Sequence, residues 1–166
     1  MTTAAPLSPA LFTPALSTPA LSTIGYEGTT VDRVIAALRG AGVAHLVDVR
    51  AVPSSRKPGF SRRQLEASVL DAGLHYTHLR ALGTPKPGRD AARRGDAATM
   101  RRIYDDHLQA PEPQAELERA VAISREAPVC LLCFERDHAM CHRDILAGLI
   151  HARTGSAVTH LLAEAV

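Results

Sequence analysis

The chain is predicted to fold as a single α/β domain with a Rossmann-like, mostly parallel sheet of about five strands and helices on both faces. Three observations predict it. Short apolar runs alternate throughout with stretches whose apolar residues recur at helical spacing, the pattern of right-handed strand–helix–strand crossovers. Runs such as His45-Leu46-Val47-Asp48-Val49 read as strands covered on both faces. With 166 residues, 46% of them hydrophobic and 22% charged, the chain has the length and composition of one globular domain with a real core.

Residues 1–20 are set apart. The pentapeptide Thr-Pro-Ala-Leu-Ser occurs at 13–17 and again at 18–22, and prolines 6, 9, 14 and 19 interrupt the segment, which is expected to be a disordered low-complexity tail. It lacks the basic start and unbroken apolar run of a signal peptide. No stretch reaches the roughly 20 apolar residues that span a bilayer. Three cysteines make no closed disulfide framework, so reduced thiols, a cytoplasmic location and no membrane partner are expected. A net charge of +2 is too small to imply nucleic acid by itself.

The domain, 21–166, opens with a strand at 21–26. Thr29 or Thr30 caps a helix whose stripe is Val31, Val34, Ile35 and Leu38, ended by Gly40 and Gly42. The strand at 45–49 leads into a basic segment, 50–60, whose Pro53 and Pro58 exclude regular helix. Ser61 and Gln64 form a capping box for a helix stopped by Gly73. A third strand spans 74–79. A loop containing Gly83, Pro85, Pro87 and Gly88 precedes a helix around Met100, Ile103, Tyr104 and Leu108, and another helix covers 114–125. The fourth strand is 129–134. Cys141-His142-Arg143 opens a helix ended by Gly155, and 157–161 is the fifth strand.

In an open parallel sheet, ligands bind beyond the carboxyl ends of the strands. That rule brings together Tyr26 and Glu27, Asp48 and Arg50, His78 and Arg80, and Cys133 and Glu135. Cys141, His142 and Arg143 join them at a helix N-terminus, where backbone N–H groups favour an anion. The basic segment adds Arg56 and Lys57 beside Phe60 and Tyr26, so guanidinium groups and a ring stand ready for a phosphate and a base. No Walker loop and no Gly-x-Gly-x-x-Gly fingerprint is present.

Several residues have plainer readings. Asp48 in an apolar run must be paired, and a tether to Arg50 suffices. His45 and His75 suit structural hydrogen bonds. Cys130-x-x-Cys133 before Cys141-His142 looks like a zinc pattern, yet a strand turns the first two sulfurs to opposite faces. A set of Cys133, Cys141 and His142 alone stays open, but no metal and no cofactor are expected. Either Cys133 or Cys141 is a nucleophile candidate beside His and Arg. The phosphatase loop Cys-x5-Arg is not matched, because its Arg position after Cys133 is Ala139.

Six segments occur in an order that resembles the family called domain of unknown function 488. They are Thr23-Ile24-Gly25-Tyr26-Glu27-Gly28, Leu46-Val47-Asp48-Val49-Arg50, Ser55-Arg56-Lys57-Pro58-Gly59-Phe60, Tyr76-Thr77-His78-Leu79, Leu82-Gly83-Thr84-Pro85-Lys86, and Leu131-Leu132-Cys133-Phe134-Glu135 followed by Cys141-His142-Arg143. The resemblance spans about 22–150. It implies a common site containing Asp48, Arg50, Ser55, Arg56, Cys141, His142 and Arg143, without naming a substrate.

The expectation is an enzyme acting on a phosphate-bearing small molecule, nucleotide-like, or on nucleic acid. Tyr26, Asp48, Arg50, Arg56, Lys57 and Arg143 are the substrate-binding candidates. Cys133, Glu135, Cys141, His142 and His78 are the catalytic ones. The alternatives are a non-catalytic module binding nucleic acid or protein, and a thiol- or persulfide-handling protein.

Overall fold

The computed structural model describes residues 18–166. The expected low-complexity tail lies outside them except for residues 18–20, the last of which already meets the sheet, its carbonyl accepting from Val129 N at 3.0 Å. The elements run in chain order as β1 Leu21–Gly25, α1 Val31–Gly40, β2 His45–Asp48, α2 Arg62–Asp71, β3 His75–His78, α3 Lys86–Arg93, α4 Ala97–His107, α5 Pro111–Glu126, β4 Val129–Cys133, α6 His142–Thr154 and β5 Val158–Leu161. The five strands form one sheet in the order β3-β2-β4-β1-β5, with every neighbouring pair parallel.

That order explains the two layers. From β1 to β2 to β3 the chain winds in one direction, and from β3 to β4 to β5 it winds back. Because crossovers keep one hand, the reversal carries the helices to the opposite face. One apolar cluster accordingly packs Val34, Leu38, Leu65 and Val69 of α1 and α2 on Ile24, Leu46, Cys130 and Leu132. The other packs Met100, Tyr104, Leu117, Val121, Leu146 and Ile150 on Val47, Val129, Leu131 and Cys133. Cys130 and Cys133 lie in different clusters, as strand alternation requires. No helix among the described residues is long and apolar enough to cross a membrane.

Two local expectations are corrected. The predicted loop after Gly83 holds α3: Pro85 is its N-cap and Pro87 lies in its first turn, where backbone N–H groups have no helical partner to lose. Gly88 belongs inside that helix because a Cβ there would press the Thr84 methyl and approach Ile103. The Ser61 hydroxyl donates to Gln64 Oε1 at 2.7 Å and makes no bond to a helix amide, so the capping box is replaced by a side-chain pair.

Gly25 ends β1 where the segment after β4 crosses it. A Cβ there would be driven into the Glu135 carbonyl, whereas Gly148, on the exposed side of α6, has open space around it. Gly25→Ala is therefore expected to cost about 2 kcal/mol or more. Gly148→Ala should raise stability by up to about 1 kcal/mol. Urea-unfolding midpoints of the two variants should move in opposite directions from wild type.

Candidate functional site

The carboxyl end of β2 is organised by a buried ion pair. Asp48 closes the strand with no exposure, and Arg50 follows at 4%. Arg50 Nε and Nη2 donate to the two Asp48 oxygens at 2.8 and 2.6 Å. The Arg50 amide adds a third bond at 3.1 Å, and the Tyr76 hydroxyl donates from β3 at 2.7 Å. Arg50 Nη1 reaches the Tyr26 hydroxyl at 3.1 Å and the Phe60 carbonyl at 2.8 Å. Tyr26 and Phe60 stack with ring centroids 4.2 Å apart. Burial works against the charged guanidinium, but the bonds to Asp48 outweigh it and hold the Arg50 pKa above its usual value. Burial and the neighbouring Asp48 charge push the Tyr76 phenol up. His78 donates from Nε2 to the Arg50 carbonyl at 2.8 Å.

A second cluster forms where β4 ends and α6 begins. Cys133 is the last residue of β4, Cys141 is the N-cap of α6, and His142 is its first residue. His142 Nδ1 lies 3.7 Å from the Cys133 sulfur and 3.7 Å from the Cys141 sulfur. Its Nε2–H donates to the Val49 carbonyl at 2.9 Å, and that bond fixes the ring. The Tyr104 ring stands edge-on at 5.1 Å. Cys133 donates to Glu135 Oε2 at 3.2 Å.

The electrostatics of these four groups are shared. A hydrogen bond to Cys141 and burial push the Cys133 thiol up. Burial also opposes ionisation of Cys141, but the bond from Cys133 and the neighbouring His142 and Arg143 hold its pKa well below the ordinary thiol value. Burial, followed by the Cys141 charge, pushes Glu135 up to about 6. Burial disfavours the imidazolium of His142, yet Cys141 and Glu135 raise its pKa on balance.

These groups meet at a cleft of about 910 Å³ bordered by Tyr26, Arg50, Arg56, Lys57, Cys133, Glu135 and His142. The predicted site residues thus divide into two sets. Those seven share the cleft, and Cys141 sits directly behind Cys133 and His142. Asp48, His78 and Arg143 do not line it. Arg143 is 1% exposed, and its guanidinium donates to the Glu135 and Arg136 carbonyls and to Thr23 Oγ1. It fastens the segment that carries Glu135. Arg89, Arg93, Phe134 and Met140 also border the cleft and were not singled out from the sequence. The prolines of this stretch hide Arg89 and Arg93 behind a loop pattern, although their spacing of four puts them on one helical face of α3.

Removing Asp48 leaves the Arg50 charge buried with no carboxylate and leaves the Tyr76 hydroxyl without its acceptor. Asp48→Ala is expected to destabilise the fold by about 3–5 kcal/mol in urea unfolding. Tyr76→Phe, which removes a single bond, should cost about 1 kcal/mol.

A family model described as Domain of unknown function DUF488 matches residues 30–150. No curated protein and no solved structure matches the chain. The matched span covers well over half of the sequence and includes the Asp48–Arg50 pair, the basic segment, α3 and the Cys133–His142 cluster, while the Thr23–Gly28 segment precedes it. The chain therefore belongs to the DUF488 family.

Proposed function

We propose that the chain is an enzyme that takes a phosphate-bearing, nucleotide-like molecule or nucleic-acid end into the cleft and acts on it with Cys133, Glu135 and His142. The observation carrying this reading is a wall of cations drawn from two separate elements. Arg56 and Lys57 follow β2, Arg89 and Arg93 come from α3, and all four border the same cleft. Among the described residues, neither Arg56 nor Lys57 has an ion-pair partner. Guanidinium groups grip phosphate through paired N–H donors, and Lys adds a point charge. At the rim Phe134 is 45% exposed, a ring face on which a base can stack.

Roles follow from exposure. Arg56, Lys57 and Arg93 hold the anion. Arg50 and Arg143 act from behind by fixing the loops, and Asp48 and His78 hold Arg50. His142 and Glu135 transfer protons, and Cys133 is the sulfur that faces the guest.

Exposed Phe134 and Val52, both bordering the cleft, also favour a second reading, a module that binds a nucleic-acid strand without chemistry. Titrations with pyrophosphate, adenosine diphosphate and a short single-stranded oligonucleotide test the first. Arg56→Ala and Arg93→Ala should each weaken binding about tenfold, and affinity should fall as salt rises. In a screen of nucleotides and phosphoesters, His142→Ala should abolish turnover while binding survives. Affinities untouched by either arginine change would remove the cleft as the anion site. Steeply salt-dependent strand binding with no turnover in wild type would favour the module.

A further inference from the structure

We infer that Cys133, Cys141 and His142 form a binding site for one divalent transition-metal ion, zinc in preference to others, whose fourth coordination position faces the cleft. The sequence pattern led us to expect no metal; the folded geometry argues otherwise. The two sulfurs and a ring nitrogen all lie within 4.8 Å of one another. Zinc–sulfur bonds of about 2.3 Å and a zinc–nitrogen bond of about 2.0–2.1 Å, opened to a tetrahedral angle, set sulfur and nitrogen about 3.6 Å apart. Both such separations here are 3.7 Å.

A thiol–imidazole hydrogen bond accounts for one sulfur at that distance, because Nδ1 has a single lone pair. Here two sulfurs stand equally far from it, an arrangement satisfied by one ion between the three atoms. The other ring nitrogen supports the same conclusion. Its hydrogen bond to the Val49 carbonyl, 2.9 Å long, puts the proton on Nε2 and leaves Nδ1 free to ligate. Metal-bound imidazoles are regularly oriented by such an outer bond.

The ligand set is informative too. Two thiolates and an imidazole are soft-to-borderline donors suited to zinc, and their two negative charges balance a divalent ion in a buried setting. Cys141 is 1% exposed, whereas Cys133 and His142 border the cleft with Glu135. Three protein ligands with an open side are the arrangement of catalytic rather than structural zinc sites. The Glu135 carboxyl, 3.2 Å from the Cys133 sulfur, stands where it can take a proton from water in that open position. The other grouping of potential ligands, His138, Asp144 and His160, is a poor rival. Its imidazoles stack face to face at 3.5 Å, so one ion cannot lie in both ring planes, and His138 Nδ1 is already bonded to Asp144 Oδ1 at 3.0 Å.

Occupancy does not depend on what enters the cleft; only the use of the ion in catalysis rests on the substrate reading above. Elemental analysis of the full chain, purified without chelator, should give one metal ion per chain, released on acidification as the sulfurs and the imidazole take up protons. After metal removal, added cobalt(II) should produce intense visible bands of a tetrahedral ion and a near-ultraviolet thiolate-to-cobalt band. Cys141→Ser and His142→Ala, shown to be folded by circular dichroism, should lose stoichiometric metal, whereas Glu135→Gln should keep it. The inference is overturned if the wild type is metal-free as purified and takes up no cobalt, or if the cobalt spectrum lacks thiolate bands. Retention of full occupancy by folded Cys141→Ser also overturns it. The wild-type cobalt spectrum needs no variant, so misfolding of a substituted chain does not blunt the test. Anion titrations read on Arg93→Ala fail or succeed independently of this result.

Discussion

The site depends first on the bidentate pairing of Asp48 with Arg50 inside the sheet's carboxyl edge. Two opposite charges taken out of water cost several kcal/mol each, and only close, fully bonded geometry offsets that. Asp48 accepts four hydrogen bonds and Arg50 donates to four acceptors. The partners come from the residue after β1, from Tyr76 within β3 and from Phe60 at the far end of the basic segment, so one pair ties three strands and a loop together. The segment between Arg50 and Phe60 is thereby anchored at both ends without regular secondary structure. Arg56 and Lys57 project from a short, pinned span rather than from a free loop.

A second tether crosses the edge from β2 to α6. The Val49 carbonyl lies past the last ladder residue of β2 and accepts the His142 proton, so the first turn of α6 is registered against β2 by a side chain. Arg143 does the same for the segment after β4 by binding its carbonyls. Consecutive residues of one helix start thus fasten the two sides of the cleft floor. Gly25 is part of this fit, because the Glu135 backbone passes too close to β1 for a side chain there.

Much of this was legible in the sequence. Alternating apolar periods predicted five strands, a parallel sheet and two helical layers, and the rule about strand ends brought Tyr26, Arg50, Cys133 and His142 to one place. What remained hidden was direction and pairing. Sequence places Arg143 beside His142, but helical geometry turns successive side chains about 100° apart, and Arg143 points into the molecule while His142 borders the cleft. A tether from Asp48 to Arg50 was legible from the buried carboxylate, but that Tyr76, Tyr26 and Phe60 complete the network depends on neighbouring segments, which local pattern does not encode. The prolines around Gly88 read as loop because their residue type disfavours helix interiors, although a first turn tolerates them. Cys133, Cys141 and His142 were legible as a possible ligand set; that both sulfurs stand 3.7 Å from one ring nitrogen was not, since Cys133 and Cys141 belong to different elements.

Charge links the cleft wall to its floor. Arg56, Lys57, Arg89 and Arg93 would attract an anion to the cleft, yet the same cleft is bordered by the Cys133 sulfur and the Glu135 carboxyl, with the Cys141 sulfur just behind them. Like charges about 4 Å apart repel by roughly 4 kcal/mol at the effective dielectric of a protein surface, so a fully ionised floor would push away the guest that the wall attracts. Protons shared among Cys133, Cys141 and Glu135 relieve part of that conflict but leave thiols facing a phosphate with no strong attraction. The divalent ion inferred above, held by both sulfurs and His142, would remove the part of the conflict that comes from the sulfurs. Two thiolates and a neutral imidazole would balance such an ion, an open coordination position would suit an oxygen donor, and Glu135 would stand beside it as the proton-accepting group.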